Sequence, residues 1–197
     1  KKALSDSQIC SSYIIKPKIK IPSMVSPSPV LKLDEIVSFD PPHVRIFLGY
    51  KAGLIPEKSG LNWGFSSGHV GPDTSYLPLR SDLMQLIPGF YPFNGKNLRA
   101  GHGQGNRNKK QIAEAIWDDG TVMQLSFEGI RQTSDGSFFK QLTSFPKNNI
   151  MGRYIRKRLG LGPFKKIGYS DLIKYGRTTI DMVKIEEGIY FFDFSLK

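Results

Sequence analysis

The sequence predicts a mainly β domain with two short helices. Three observations carry this expectation. Short runs rich in β-branched and aromatic residues recur along the chain, Asp, Pro and Gly turn signals separate them, and only two segments have the make-up of a helix.

Residues 1–42 come first and read as a linker or the tail of a preceding domain. Pro17, Pro22, Pro27, Pro29, Pro41 and Pro42 stand too close together for a helix or a central strand, and Ser and Lys fill the space between them. The fragments Tyr13-Ile14-Ile15 and Ile19-Lys20-Ile21 leave an edge strand open, with a tether the preferred use. The opening at Lys1-Lys2, with neither Met nor an apolar signal core, reads as a piece cut from something longer.

Residues 43–197 form the expected domain, with strands at 44–48, 76–79, 112–117, 122–127, 138–145, 179–185 and 189–194. Asp118-Asp119-Gly120 joins the third and fourth as a hairpin, because Asp and Gly tolerate the backbone of a tight turn. Glu186-Glu187-Gly188 joins the last two in the same way. Seven short strands imply a closed or half-closed sheet. The helices are expected at 81–87, between the N-cap Ser81 and Pro88-Gly89, and at 149–161, where Ile150, Tyr154, Ile155, Leu159 and Leu161 interleave with Arg153, Arg156, Lys157 and Arg158.

With 39% hydrophobic and 12% aromatic residues, a chain of 197 can bury one sizeable core, so one domain is expected. Its 28 Lys and Arg against 17 Asp and Glu leave +11, a field that calls for a polyanionic partner. The single cysteine, Cys10, excludes a disulfide framework and a cysteine-cluster zinc site and fits a reducing, cytoplasmic setting. No run approaches the ~18 apolar residues of a membrane span, so no membrane partner is expected.

Catalytic patterns are missing. A phospholipase-D-type nuclease needs His-x-Lys, but His43 precedes Val44-Arg45, His69 precedes Val70-Gly71 and His102 precedes Gly103-Gln104. A Mg²⁺-dependent nuclease needs two acidic residues spaced closely before a Lys, and neither Asp181-Met182-Val183-Lys184 nor Glu57-Lys58 has that spacing. No catalytic residue, metal or cofactor is therefore expected. Gly101-His102-Gly103-Gln104-Gly105 lacks the strand before and helix after that a phosphate cradle requires. With Arg107 and Lys109 close behind, it reads either as a basic loop reaching a phosphate backbone or as a plain solvated loop.

Two segments have the chemistry to read DNA bases. The loop opening at Gly60-Leu61-Asn62-Trp63-Gly64 carries Asn62, Ser66, His69 and Asp73, which either meet base edges or only water. The second segment carries Gln132, Lys140, Gln141, Thr143 and Asn148 among apolar residues; Gln and Asn pair bidentately with adenine and Lys with guanine. Phosphate contacts are expected from Lys147, Asn149, Arg153, Arg156 and Lys157, with free N–H groups at the start of the helix beside them. A charge run of this kind is otherwise a solvated helix face.

At these residues the chain resembles the C-terminal domain of the NgoFVII-type (NgoAVII-like) type II restriction endonucleases. The matching stretches are Ser59-Gly60-Leu61-Asn62-Trp63-Gly64, Asp118-Asp119-Gly120, and the segments 148–161, 171–178 and 190–195, together spanning 44–196. The resemblance implies an open seven-stranded pseudobarrel of the plant B-three DNA-binding type. Two arms, at 60–76 and about 129–149, would grip the major groove of double-stranded DNA. It also implies a prokaryotic, cytoplasmic enzyme whose preceding phospholipase-D-type nuclease domain cuts without metal and forms the homodimer, the isolated domain being a monomer. Where the family continues its Asn-Trp-Gly with Gln and a basic residue, this chain has Phe65-Ser66-Ser67, so the family's target sequence does not carry over. The insertion at 94–110 is longer and more basic than the family's pattern. The alternative is a β-barrel module for RNA or single strands, whose Phe and Tyr would stack on bases; their place in apolar runs such as Tyr190-Phe191-Phe192 favours core packing.

Overall fold

The computed structural model describes residues 36–39, 42–49, 53–66, 71–80, 86, 87, 89–91, 111–133 and 136–196, and only the backbone at 36–39, 132, 133, 136 and 137. The chain divides into two units at 31/32, and every described residue lies in the second.

The strands are β1 (Ile36–Phe39), β2 (Pro42–Phe47), β3 (Leu77–Pro78), β4 (Gln111–Trp117), β5 (Val122–Thr133), β6 (Gly136–Phe145), β7 (Thr179–Glu186) and β8 (Ile189–Asp193). They form one sheet in the order β1-β2-β7-β8-β4-β5-β6-β3. Among the described residues, only β4 and β8 pair in parallel, and every other neighbour is antiparallel. The sheet is nearly closed and barrel-like, as expected; β3 is the strand expected at 76–79, and β1 adds an eighth to the expected seven.

The β4–β5 hairpin turns at Asp118-Asp119-Gly120, with Gly120 at φ 83° and Asp119 Oδ1 accepting the Thr121 N–H at 3.0 Å. The β7–β8 hairpin turns with Gly188 at φ 76°. Both turns stand where the sequence predicts them. Alternation along β4 and β5 sends Ala113, Ala115, Trp117, Met123, Leu125 and Phe127 into the core, where Tyr190 and Phe192 of β8 meet them.

Helix α1 (Ile150–Arg158) covers one end of the core. Its buried face is Met151, Gly152, Ile155 and Arg156, the one-four spacing of a single helical face, and its last turn carries Arg156, Lys157 and Arg158, which suit the negative end of the helix dipole. Arg158 then closes onto the sheet. Its guanidinium donates to both Asp118 oxygens at 3.1 and 2.9 Å and to the Phe194 carbonyl at 2.9 Å, so Asp118 does more than shape a turn.

Three elements differ from the sequence reading. Strand β1 lies inside the stretch expected as linker and pairs with β2. Helix α2 (Tyr169–Tyr175) was not expected; it starts where Asp171 Oδ2 accepts the Gly168 N–H at 2.7 Å and ends at Gly176, φ 90°. Its seven residues bury only Leu172 and so show no apolar stripe. Strands β5 and β6 also run further than 127 and 138, staying in register to Thr133 opposite Gly136. The expected helix at 81–87 lies outside the described residues except for 86 and 87.

Candidate nucleic-acid interface

Two projections leave the barrel. The first is the loop expected at 60–76, whose two sides close on each other: Gly64 N–H donates to the Thr74 carbonyl and Tyr76 N–H to the Gly60 carbonyl, both at 3.0 Å. The ascending side is a 3-10 segment (Gly60–Phe65). Gly64 is required, because a Cβ there would stand 2.2 Å from the Gly71 carbonyl oxygen. Residues 67–70, which include His69, lie outside the described residues.

The second projection follows from register. Among the described residues, β4 pairs with β5 as far as Phe127, while β5 and β6 continue together to Thr133 and Gly136. What remains is a two-stranded ribbon, with β3 against β6 at Leu142 and Gln141. Gly129 stands in it at φ 64°, and the Lys140 side chain lies over the space where a Cβ would be.

A shallow groove of about 260 Å³ runs between the two, lined by Tyr76 and Pro78 from the base of the first projection and Arg131, Phe139, Lys140 and Gln141 from the ribbon. Arg131 and Lys140 are exposed and Gln141 is half-buried. Tyr76 is held by an edge-on contact with Trp63, ring centres 5.5 Å apart. The sequence reading did not single out Tyr76 or commit to Arg131; a polar or aromatic residue in a strand shows its facing only once register is known.

Of the other expected base readers, four are placed differently. Asn62 is 1% exposed; its amide donates to the Pro56 and Ile167 carbonyls at 3.1 and 2.8 Å and accepts the Ile167 N–H at 2.9 Å, so it holds the loop in place. Asp73 is buried and accepts Asn149 Nδ2 at 3.1 Å and Arg153 Nε. Thr143 is fully buried opposite Ser126. Ser66 is half-buried and donates to the Trp63 carbonyl at 2.8 Å. Asn148 is half-buried after β6, and of Gln132 only the backbone is described.

The expected phosphate contacts also divide. Lys147 and Lys157 are exposed, and Arg153 keeps 56% of its side chain in solvent while bonded to Asp73. Asn149 is engaged with Asp73. Arg156 is a correction: it is completely buried, donating to the carbonyls of Leu61, Pro72, Gly152 and Lys165 and to Ser75 Oγ at 2.8 to 3.3 Å. Burial disfavours its charge, and the nearby Asp73 carboxylate offsets part of that. The start of α1 is not open either, since Ser144 Oγ accepts the Met151 N–H at 3.0 Å and the Lys147 carbonyl accepts that of Ile150 at 3.3 Å. Arg107 and Lys109 lie outside the described residues.

Residues 37–186 match the family model of the NgoFVII C-terminal B3-like DNA-binding domain. The chain belongs to this family. It is thus a B3-like DNA-binding domain of a restriction enzyme, and DNA is its partner. A search of curated proteins returned no match. Among the described residues, no three His, Cys, Asp or Glu side chains gather as a metal site, and no helix is long and apolar enough to cross a membrane.

The B3-like domain fastens its first projection to α1 by close approach. A Cβ on Gly152 would stand 1.9 Å from the Asp73 carbonyl oxygen. Gly152→Ala is therefore expected to cost about 3 kcal/mol, as overpacking against backbone does. Urea unfolding beside Gly162→Ala, where a Cβ meets nothing within 4 Å, checks this.

Proposed function

We propose that this domain reads a specific sequence in double-stranded DNA by placing its two projections as arms in the major groove, as the target-recognition part of a type II restriction endonuclease. The observation that carries the reading is the groove between the arms, where Arg131, Lys140 and Gln141 present base-pairing groups beside Tyr76. His69, Gln132 and Asn148 complete the proposed reading set; Lys147, Arg153 and Lys157 supply phosphate contacts. Burial of Phe127, Phe139, Tyr190 and Phe192 supports duplex over single strands, since those rings are not available to stack on bases. In the intact enzyme, a phospholipase-D-type nuclease domain would cut without metal and hold the homodimer, in a prokaryotic cytoplasm, while the present chain binds as a monomer.

Selection of bound duplexes from a random pool tests the reading directly, with one converged sequence expected. On that site Lys140→Ala and Gln141→Ala should each cost about 1 to 3 kcal/mol, and much less on a scrambled duplex. A pool that never converges, or equal losses on both duplexes, would overturn it.

A further inference from the structure

We propose that the loop between α1 and α2 is a third DNA-contacting element, with Lys165 and Lys166 on phosphates and Phe164 against the sugars of the same strand. The inference rests on the DNA-reading function proposed for the arms and extends it to a segment with no expected role.

Residues 162–166 are all exposed. Phe164 is 57% exposed, a large apolar ring outside the core, with Pro163 before it and the two lysines after it. The loop is nevertheless firmly held. The Lys165 carbonyl accepts Arg156 Nε at 2.8 Å and the Lys165 N–H donates to the Gly162 carbonyl at 3.1 Å. One residue further, the backbone of Ile167 exchanges two hydrogen bonds with the Asn62 amide inside the first arm. The Lys166 ammonium stands 5.4 Å above the Phe65 ring of that arm and 3.3 Å from Glu57.

Position and charge therefore travel with the arm. Any DNA that the first arm engages meets a loop whose backbone is already ordered, so little conformational entropy is lost on contact. The Glu57 pair is solvent-exposed on both sides and weak, and a phosphate replaces it readily. Lys157, exposed on the last turn of α1, follows Arg156, whose guanidinium holds the Lys165 carbonyl. An exposed ring beside cations suits a nucleic-acid strand, whose phosphates alternate with apolar sugar faces.

Fluorescence anisotropy titrations of the 197-residue chain across a salt series test this, using the selected duplex with flanking DNA on both sides and a scrambled duplex of equal length. Lys165→Ala/Lys166→Ala should lower the slope of log affinity against log salt by roughly 1.8 units, two phosphate contacts, on both duplexes, with base preference unchanged. Phe164→Ser should weaken binding roughly fivefold at every salt concentration with the slope intact, because an apolar contact releases no counterions. Thermal melts matching the unsubstituted chain would confirm that the fold is undisturbed. An unchanged slope in a double variant that still prefers the selected site overturns the loop contact and leaves the arms standing. A shifted base preference with an unchanged slope also overturns it. If the unsubstituted chain does not discriminate between the duplexes, the arm reading fails, while a lowered slope on both duplexes still supports the loop contact.

Discussion

Arg156→Ala is expected to detach the first arm from the barrel and to destabilise the domain by on the order of 3 kcal/mol. The guanidinium ties α1 to both sides of the arm through Leu61, Pro72 and Ser75, and to the following loop through Lys165. Removing it strands several buried acceptors at once, each costing roughly 1 to 3 kcal/mol where no water reaches it, with relaxation returning part of the sum. DNA affinity should fall on every sequence because the arm no longer holds its place. Urea unfolding with hydrogen exchange at Gly64 and Tyr76 checks the outcome. A surface phosphate contact would behave in the opposite way, with unchanged stability and a salt slope lower by about one unit.

Asp181→Asn should cost more, about 3 to 5 kcal/mol, as when one partner leaves a buried ion network. Asp181 is 2% exposed on β7, with Arg45 Nε at 2.7 Å, Arg177 Nη2 at 3.1 Å and His43 Nε2 at 3.7 Å. Arg177 also reaches Asp193 at 2.9 Å, so the cluster joins β2, β7 and β8. Burial opposes charge on Asp181, yet the facing His43 and Arg45 and the Arg177 charge outweigh it and hold the carboxyl far below the usual carboxylate range. Asp193 is also lowered, with Ser195 and Arg177 outweighing its burial.

A depressed folded pKa contributes stability that is fully present above the unfolded value of about 4 and lost as pH falls through the folded one. Stability should therefore hold from neutrality to about pH 5 and fall steeply below pH 4. In Asp181→Asn the fall should be shallower, from a lower starting point. Urea midpoints measured from neutrality to below pH 4 report both, and an identical acid slope in the two proteins would remove Asp181 from the account.

Much of the fold was legible because local chemistry is sufficient for it. Asp119-Gly120 and Glu187-Gly188 announce hairpins through the backbone freedom of glycine, and alternating apolar residues in β4 and β5 declare one buried face. Helix α2 was not legible, since its short length and its lack of a Ser, Thr, Asp or Asn N-cap leave too little signal.

Within the candidate site, the sequence by itself determined which residue types stand on the two arms and that their partner is a polyanion, because charge and side-chain chemistry belong to the chain however it folds. Only the tertiary structure decided what each residue is used for. Arg153 and Arg156 are three apart on one helix and chemically alike, but a turn of about 100° per residue carries Arg156 under the first arm and leaves Arg153 half in solvent. Asn62 and Gln141 are equally able to pair with adenine, yet Asn62 spends its amide on Pro56 and Ile167 while Gln141 lines the groove. The facing of a polar side chain depends on contacts made far along the chain, such as Asn62 with Ile167, 105 residues away, and no local pattern encodes them.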